Sequence, residues 1–154
     1  AVSGGSDSMA LLELTVLARG ARAGADLVVC VDHGLRPEAA TEAEHVRAAA
    51  RRLGTGFALV ARPSAFPRRT ADYRMAEFFV VNQARRRGVG AGAATLLFTR
   101  FTGAWEVVED EYNRPALAFW RRVIGRHCGG RYTETREAGE VCHRFTTEPP
   151  RGQD

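Results

Sequence analysis

Lysine is missing from this 154-residue chain, and all 22 basic residues are arginine. Without a primary-amine side chain, Schiff-base chemistry and lysine contacts to phosphate are excluded. Guanidinium groups and backbone amides are left to hold anions. Isoleucine is reduced to Ile124, while Ala, Arg and Gly abound; GC-rich coding explains this bias more simply than a functional demand does. No run of about 18 apolar residues occurs, which excludes a membrane-spanning helix. No signal peptide is legible, since Ala1 and Val2 lead straight into a Gly/Ser turn, and the cytoplasm is the expected location. The three cysteines form no metal-type spacing. His127-Cys128 and Cys142-His143 read as strand or loop pairs, and neighbours on a strand point to opposite faces, so the four do not converge on zinc.

What is present is the composition of a soluble globular protein, 45% apolar and 26% charged. The length suits one ordinary domain or two small units sharing a core. Residues 1–70 carry 9 Arg against 7 acids and residues 71–154 carry 13 against 11, so the net +4 divides evenly. An even charge tolerates nucleic acid without arguing for it.

Along the chain, Ser6 or Asp7 can cap a helix whose apolar positions Met9, Leu12 and Val16 recur at helical spacing, ending near Gly20. Leu27 to Val31 is a short continuous apolar run, as expected for a strand buried on both faces. Pro37 and Glu38 open an Ala-rich helix through Leu53, closed by Gly54, and Phe57 to Ala61 is the next strand. This alternation predicts parallel pairing with right-handed crossovers. Residues 62–74, with two prolines, paired arginines and no periodicity, mark a linker or seam. Beyond it come a strand over Met75–Val81, a small-residue helix over Gly88–Phe101 and a strand over Trp105–Val108. Asn113 caps a helix ending at Gly125. Tyr132–Arg136 and Val141–Thr146 form a hairpin around Ala138-Gly139, and residues 148–154 are a tail.

The segment Ser3-Gly4-Gly5-Ser6-Asp7-Ser8 has the makings of an anion loop. A Gly-Gly pair before a helix lets the backbone approach an anion, the helix start offers unpaired N–H groups, and three hydroxyls add donors. Asp7 would repel a bare phosphate but suits a Mg²⁺ ion arriving with a nucleotide. Taken alone, the segment fits a Gly/Ser turn with an Asp cap equally well. The segment VDHGLRPE, Val31 to Glu38, leaves the next strand at the carboxyl edge, where open α/β sheets bind ligands.

Together SGGSDS and VDHGLR resemble the N-terminal portion of tRNA(Ile)-lysidine synthetases of the PP-loop ATP pyrophosphatase family, over about residues 1–62. The resemblance implies ATP with Mg²⁺, adenylation of a tRNA cytidine and attack by free lysine. Ser3, Gly4, Gly5, Ser6 and Ser8 would cradle the pyrophosphate, Asp7 would act near Mg²⁺, and Asp32-His33 would line the adenosine side. The family's later acidic motif, of the form HxxDDQxET, does not occur in the sequence.

Residues 75–147 carry a different pattern. After the strand MAEFFVV, Arg85-Arg86-Arg87-Gly88-Val89-Gly90 fits R-x-x-G-x-G, and Asn113-Arg114-Pro115-Ala116 with Phe119-Trp120 follows. On their own, these fit a solvated basic turn and a helix cap. In combination they resemble the C-terminal half of the GNAT N-acetyltransferases. That resemblance implies acetyl-CoA held by the Arg85–Gly90 loop, with Asn113 on the pantetheine arm and an amine as acceptor. Trp120 stands where that family often has a tyrosine acid, and an indole N–H cannot deliver the proton. Glu109, Asp110 and Glu111 read as a solvated loop face.

The expected architecture is therefore α/β. A partial PP-loop, Rossmann-like parallel unit (1–62) joins through a seam (63–74) to a GNAT-like β-α-β-α-β-β half (75–147). The two halves either share a sheet or fold as neighbours. An inactive mosaic or binding module is the third expectation, with no membrane partner in any of the three.

Overall fold

The computed structural model describes residues 27–32, 38–62, 71–80 and 88–148, with residues 9, 10, 12 and 14 of a preceding helical stretch. Ser3 to Ser8, His33 and Arg85 to Arg87 lie outside the described residues. The elements are β1 (Leu27–Asp32), α1 (Ala39–Arg52), β2 (Gly56–Ala61), β3 (Tyr73–Phe79), α2 (Val89–Arg100), β4 (Gly103–Asp110), α3 (Arg114–His127), β5 (Tyr132–Glu137) and β6 (Glu140–Thr147).

The six described strands make one sheet in the order β1-β2-β3-β4-β6-β5. β1 and β2 are parallel from Leu27↔Gly56 to Asp32↔Ala61, the pairing that the strand–helix–strand alternation requires, with α1 as the crossover. β2 then pairs antiparallel with β3. This pairing crosses the seam, so the two halves share a sheet. β3 and β4 are again parallel, and β4, β6 and β5 continue antiparallel.

Helices cover the sheet on both faces. On one, α2 and α3 pack through Ala94, Leu97, Phe98, Trp120, Val123 and Ile124 onto Val60, Met75, Trp105, Val107 and Phe145. Phe98 is the hub, edge-on to Trp105 at 5.0 Å and to Phe145 at 4.9 Å. Trp105 buries fully while its indole N–H donates to the Phe101 carbonyl at 2.7 Å, so no polar atom is stranded. On the other face, α1 lays Ala43, Val46, Ala49 and Ala50 over Val28, Cys30 and Phe57, with Leu12 beside them. Each large apolar side chain buried this way contributes about 1.5–3 kcal/mol.

The expected boundaries shift by a few residues. α3 passes Gly125 and ends at His127, with Cys128 as its C-cap. An interior glycine costs a helix about 1 kcal/mol, and burial of Ile124 and Cys128 on either side offsets it. His127-Cys128 is therefore a helix end and not a strand pair. The β5–β6 hairpin turns at Ala138 (φ 52°) and Gly139 (φ 85°), the two consecutive positive φ angles of a tight hairpin turn.

Candidate functional site

Two places in this sheet carry ligand-type geometry. The first is the carboxyl edge shared by β1 and β2. Both strands run the same way and end there, at Asp32 and Ala61. The Asp32 carbonyl accepts from the Arg62 N–H at 2.8 Å, which ties the two strand exits together. Asp32 is the residue of the expected nucleotide set that falls within the described residues. Ser3, Gly4, Gly5, Ser6, Asp7, Ser8 and His33 lie outside them. Among the described residues no cluster of three His, Cys, Asp or Glu is arranged to hold a metal.

The second place is a cleft on the helix side. β3 and β4 pair only over Tyr73↔Trp105, Arg74↔Glu106 and Met75↔Val107, although β3 continues to Phe79 and β4 to Asp110. The cause lies in β3. Leu59 faces Glu77 and Val60 faces Met75, so Ala76 is an extra residue against β2. A bulge of this kind bends its strand, and β3 leaves β4 where the bulge falls. The space opened has a volume of about 820 Å³ and is closed by the start of α2 and by α3. Phe78, Phe119 and Trp120 form its apolar wall, with ring centroids 4.9–5.9 Å apart.

Gly88 and Gly90 admit the backbone at the mouth of this cleft. Gly88 is the N-cap of α2 at φ 80°, a conformation that L side chains rarely adopt. A Cβ on Gly90 would meet Val80 Cγ2 at 3.2 Å and Phe119 Cε2 at 3.4 Å. Val89 opens α2 between them, and Arg85, Arg86 and Arg87 lie outside the described residues. Asn113 also lines the cleft and caps α3, its Oδ1 accepting from the Ala116 N–H at 3.4 Å. Its Nδ2 donates to Glu109 Oε1 at 3.0 Å.

Glu109 is a correction to the sequence reading. It is half-buried and lines the cleft, where a solvated loop residue was expected. β4 extends to Asp110, and strand alternation sets Glu109 on the same side as Trp105 and Val107. The signal for it was spacing, Glu109 standing two residues after Val107 and four after Trp105 on one strand face. Trp120 is likewise a packed wall residue, 4% exposed, which suits an apolar lining better than proton transfer.

Next to this cleft stands a charged network on α3, β5 and β6. Arg121 donates to Glu134 through Nε at 2.7 Å and Nη2 at 2.8 Å. That two-pronged contact holds the Glu134 carboxyl well below its usual range, at about 2. His143 is fully buried, with Nε2 3.2 Å from Glu134 Oε2. Neither ring nitrogen has a partner in hydrogen-bond geometry, and burial pushes the imidazole pKa below its ordinary value.

Residues 1–87 match the model of the PP-loop domain family. A tRNA(Ile)-lysidine synthase of Bradyrhizobium diazoefficiens is 42% identical over 104 residues, 63% of this chain and 27% of that protein. That of Methylobacterium nodulans is 42% identical over 98 residues, 59% of this chain and 27% of that protein. That of Bradyrhizobium sp. strain BTAi1 is 57% identical over 56 residues, 35% of this chain and 16% of that protein. The chain thus spans about a quarter or less of the length of these relatives. No solved structure matches it. The family match runs past the seam expected at 63–74, and no comparison supports the GNAT resemblance of the C-terminal half. The helix between β1 and β2, their parallel pairing and a match over more than half the chain agree: the chain belongs to the PP-loop domain family of ATP-binding proteins.

Proposed function

We propose that the chain binds Mg·ATP at the carboxyl edge of β1 and β2. The Ser3–Ser8 loop holds the pyrophosphate, Asp7 stands by the Mg²⁺, and Asp32-His33 lies on the adenosine side. The observation that carries this reading is the family match over residues 1–87, together with Asp32 at the end of a parallel strand pair, where open α/β sheets bind ligands. The related chemistry is adenylation of a tRNA cytidine followed by attack of free lysine. The motif HxxDDQxET is absent from the sequence, so nucleotide binding is the part of that chemistry assigned to these residues. Calorimetric titration with Mg·ATP tests it. Saturable heat abolished by Gly5→Val and weakened by Asp7→Ala supports the site, and heat unchanged by both variants removes it.

A second reading, acetyl-CoA-dependent acyl transfer to an amine, is favoured by the divergence of β3 from β4 at Ala76. The cleft so formed has an apolar wall, a helix N-terminus entered through Gly88 and the amide of Asn113 at its rim. That combination suits a ligand with an apolar arm and a phosphate-bearing end. Titration with acetyl-CoA is the test. Binding lost on Gly88→Glu and retained in Gly5→Val supports a separate CoA site, and no binding by the parent chain rejects it.

A further inference from the structure

The sheet ends at β5, and among the described residues no strand pairs with its outer side. Such an edge presents backbone groups that can take a strand from another chain. Which residues present them follows from the hairpin. Ala138 and Gly139 alone separate the register pair Glu137↔Glu140. That pair therefore exchanges hydrogen bonds, as does every second pair along the ladder. Thr133, Thr135 and Glu137 turn their backbone groups inward to β6, while Glu134 and Arg136 turn theirs outward. Tyr132 has the same parity as Glu134, and its N–H accordingly misses β6 and donates to the Gly130 carbonyl at 3.0 Å.

The side chains decide what can pair there. Glu134 and Arg136 share the face under α3, with side chains 23% and 62% exposed, and Thr133 and Thr135 are exposed on the other face. A second copy related by a two-fold axis normal to the sheet runs antiparallel and keeps like faces together. Centred on Thr135, the axis sets Glu134 opposite the partner's Arg136, and Arg136 opposite the partner's Glu134. Thr135 then faces the partner's Thr135, a favourable cross-strand pair. Centred on Glu134, Arg136 or Glu137, the axis sets like charges directly opposite, which destabilises the pairing. Centred on Thr133, the strands overlap only over Tyr132–Glu134. Charges that guard the edge in other registers thus complement each other in the one that spans Thr133–Glu137.

We propose that β5 pairs antiparallel with β5 of a second copy about Thr135, joining two sheets into one. Glu134 and the partner's Arg136 each donate a backbone N–H to the other's carbonyl, and their side chains bring opposite charges together. Arg121 already holds the Glu134 carboxyl through two contacts, at 2.7 and 2.8 Å, which reduces the ordering cost of association. Arg136 stands 3.6 Å from Glu134 within its own chain and gains the partner's carboxylate on pairing. β1 lies at the opposite edge of the sheet, so this surface depends on neither proposed activity.

Sedimentation equilibrium of the full chain over a concentration series tests the pairing. A reversible monomer–dimer equilibrium is expected. Arg136→Glu sets like charges opposite each other on both sides of the axis and weakens the dimer about tenfold or more. Arg114→Glu, the same reversal on an exposed side chain at the start of α3, leaves it unchanged. Disulfide trapping reads the register itself. Cys142 is the register partner of Thr135 within the chain, so the traps are made in Cys142→Ser, where the remaining Cys30 and Cys128 are buried. Thr135→Cys lies opposite its own copy and cross-links on oxidation, whereas Thr133→Cys, opposite the partner's Glu137, does not. A chain that stays monomeric at every concentration overturns the proposal. So does a dimer indifferent to Arg136→Glu, or one in which Thr135→Cys cross-links no better than Thr133→Cys.

Discussion

At the scale of single residues, Glu134 and His143 set the acid sensitivity of the C-terminal half. The Glu134 carboxyl lies at about 2 in the folded chain against 4.5 ordinarily. A lowered carboxylate pKa contributes stability that is complete above the ordinary value and is lost as pH falls from 4.5 towards about 2. His143 is lowered by burial. The unfolded chain therefore takes up its proton first as pH drops below 6.5, and stability falls there too. Both signs point to loss in acid. Urea midpoints should decline between about pH 7 and about pH 5 on account of His143, and more steeply below that through Glu134. The His143 ring nitrogens are buried outside hydrogen-bond geometry, with Nε2 3.2 Å from Glu134 Oε2, so His143→Leu should change stability at pH 7 by no more than about 1 kcal/mol. It should also flatten the decline between about pH 7 and about pH 5; an unchanged slope would show that another group titrates there. Asn113→Ala removes a cap whose hydrogen bond is long, 3.4 Å, so thermal unfolding should register a loss near the low end of cap values, about 0.5 kcal/mol.

At the scale of elements, most of the chain beyond Leu27 was legible. The run LVVCV, the Pro37-Glu38 start, the Asn113 cap and the Ala138-Gly139 turn each carry a local physical signal, and each element stands within a few residues of where that signal lies. What escaped depends on partners distant in sequence. Nothing in residues 62–74 names β3 as the antiparallel neighbour of β2, because strand pairing is decided by faces that meet only in the fold. Glu106 reads as a surface charge in WEVVED and is 3% exposed, since its two arginines come from strands 32 and 38 residues away. The bulge at Ala76 left one trace, Met75 and Phe78, which pack on the same side of the sheet although they stand three residues apart.

That bulge has a direct consequence. Deleting Ala76 restores plain alternation while keeping Glu77, Phe78 and Phe79 on their present faces. β3 is then free to run on beside β4. The variant should fold with little loss in melting temperature and should lose acetyl-CoA binding if the second reading holds. Retained binding would show that the divergence of the strands is not what makes the cleft.

At the scale of the whole molecule, the two halves are joined through the pairing of β2 with β3. Ala58 and Val60 of β2 belong to the same core as Trp105 and Phe145. A shared sheet and a shared core predict a single cooperative transition, with fluorescence of Trp105 and Trp120 and backbone circular dichroism superimposable in urea. Two separated transitions would mean that the halves fold as neighbours. The PP-loop resemblance was legible from SGGSDS and VDHGLR together, and the family match covers the same stretch. The helix-side cleft emerges only when β3 and β4 are seen to part.

The central claim is that this chain is a nucleotide-binding PP-loop protein, and calorimetric titration of the full chain with Mg·ATP tests it most directly. The account predicts saturable binding, lost in Gly5→Val and weakened when Mg²⁺ is chelated. No heat with ATP under any Mg²⁺ condition, or binding indifferent to Gly5→Val, would contradict it.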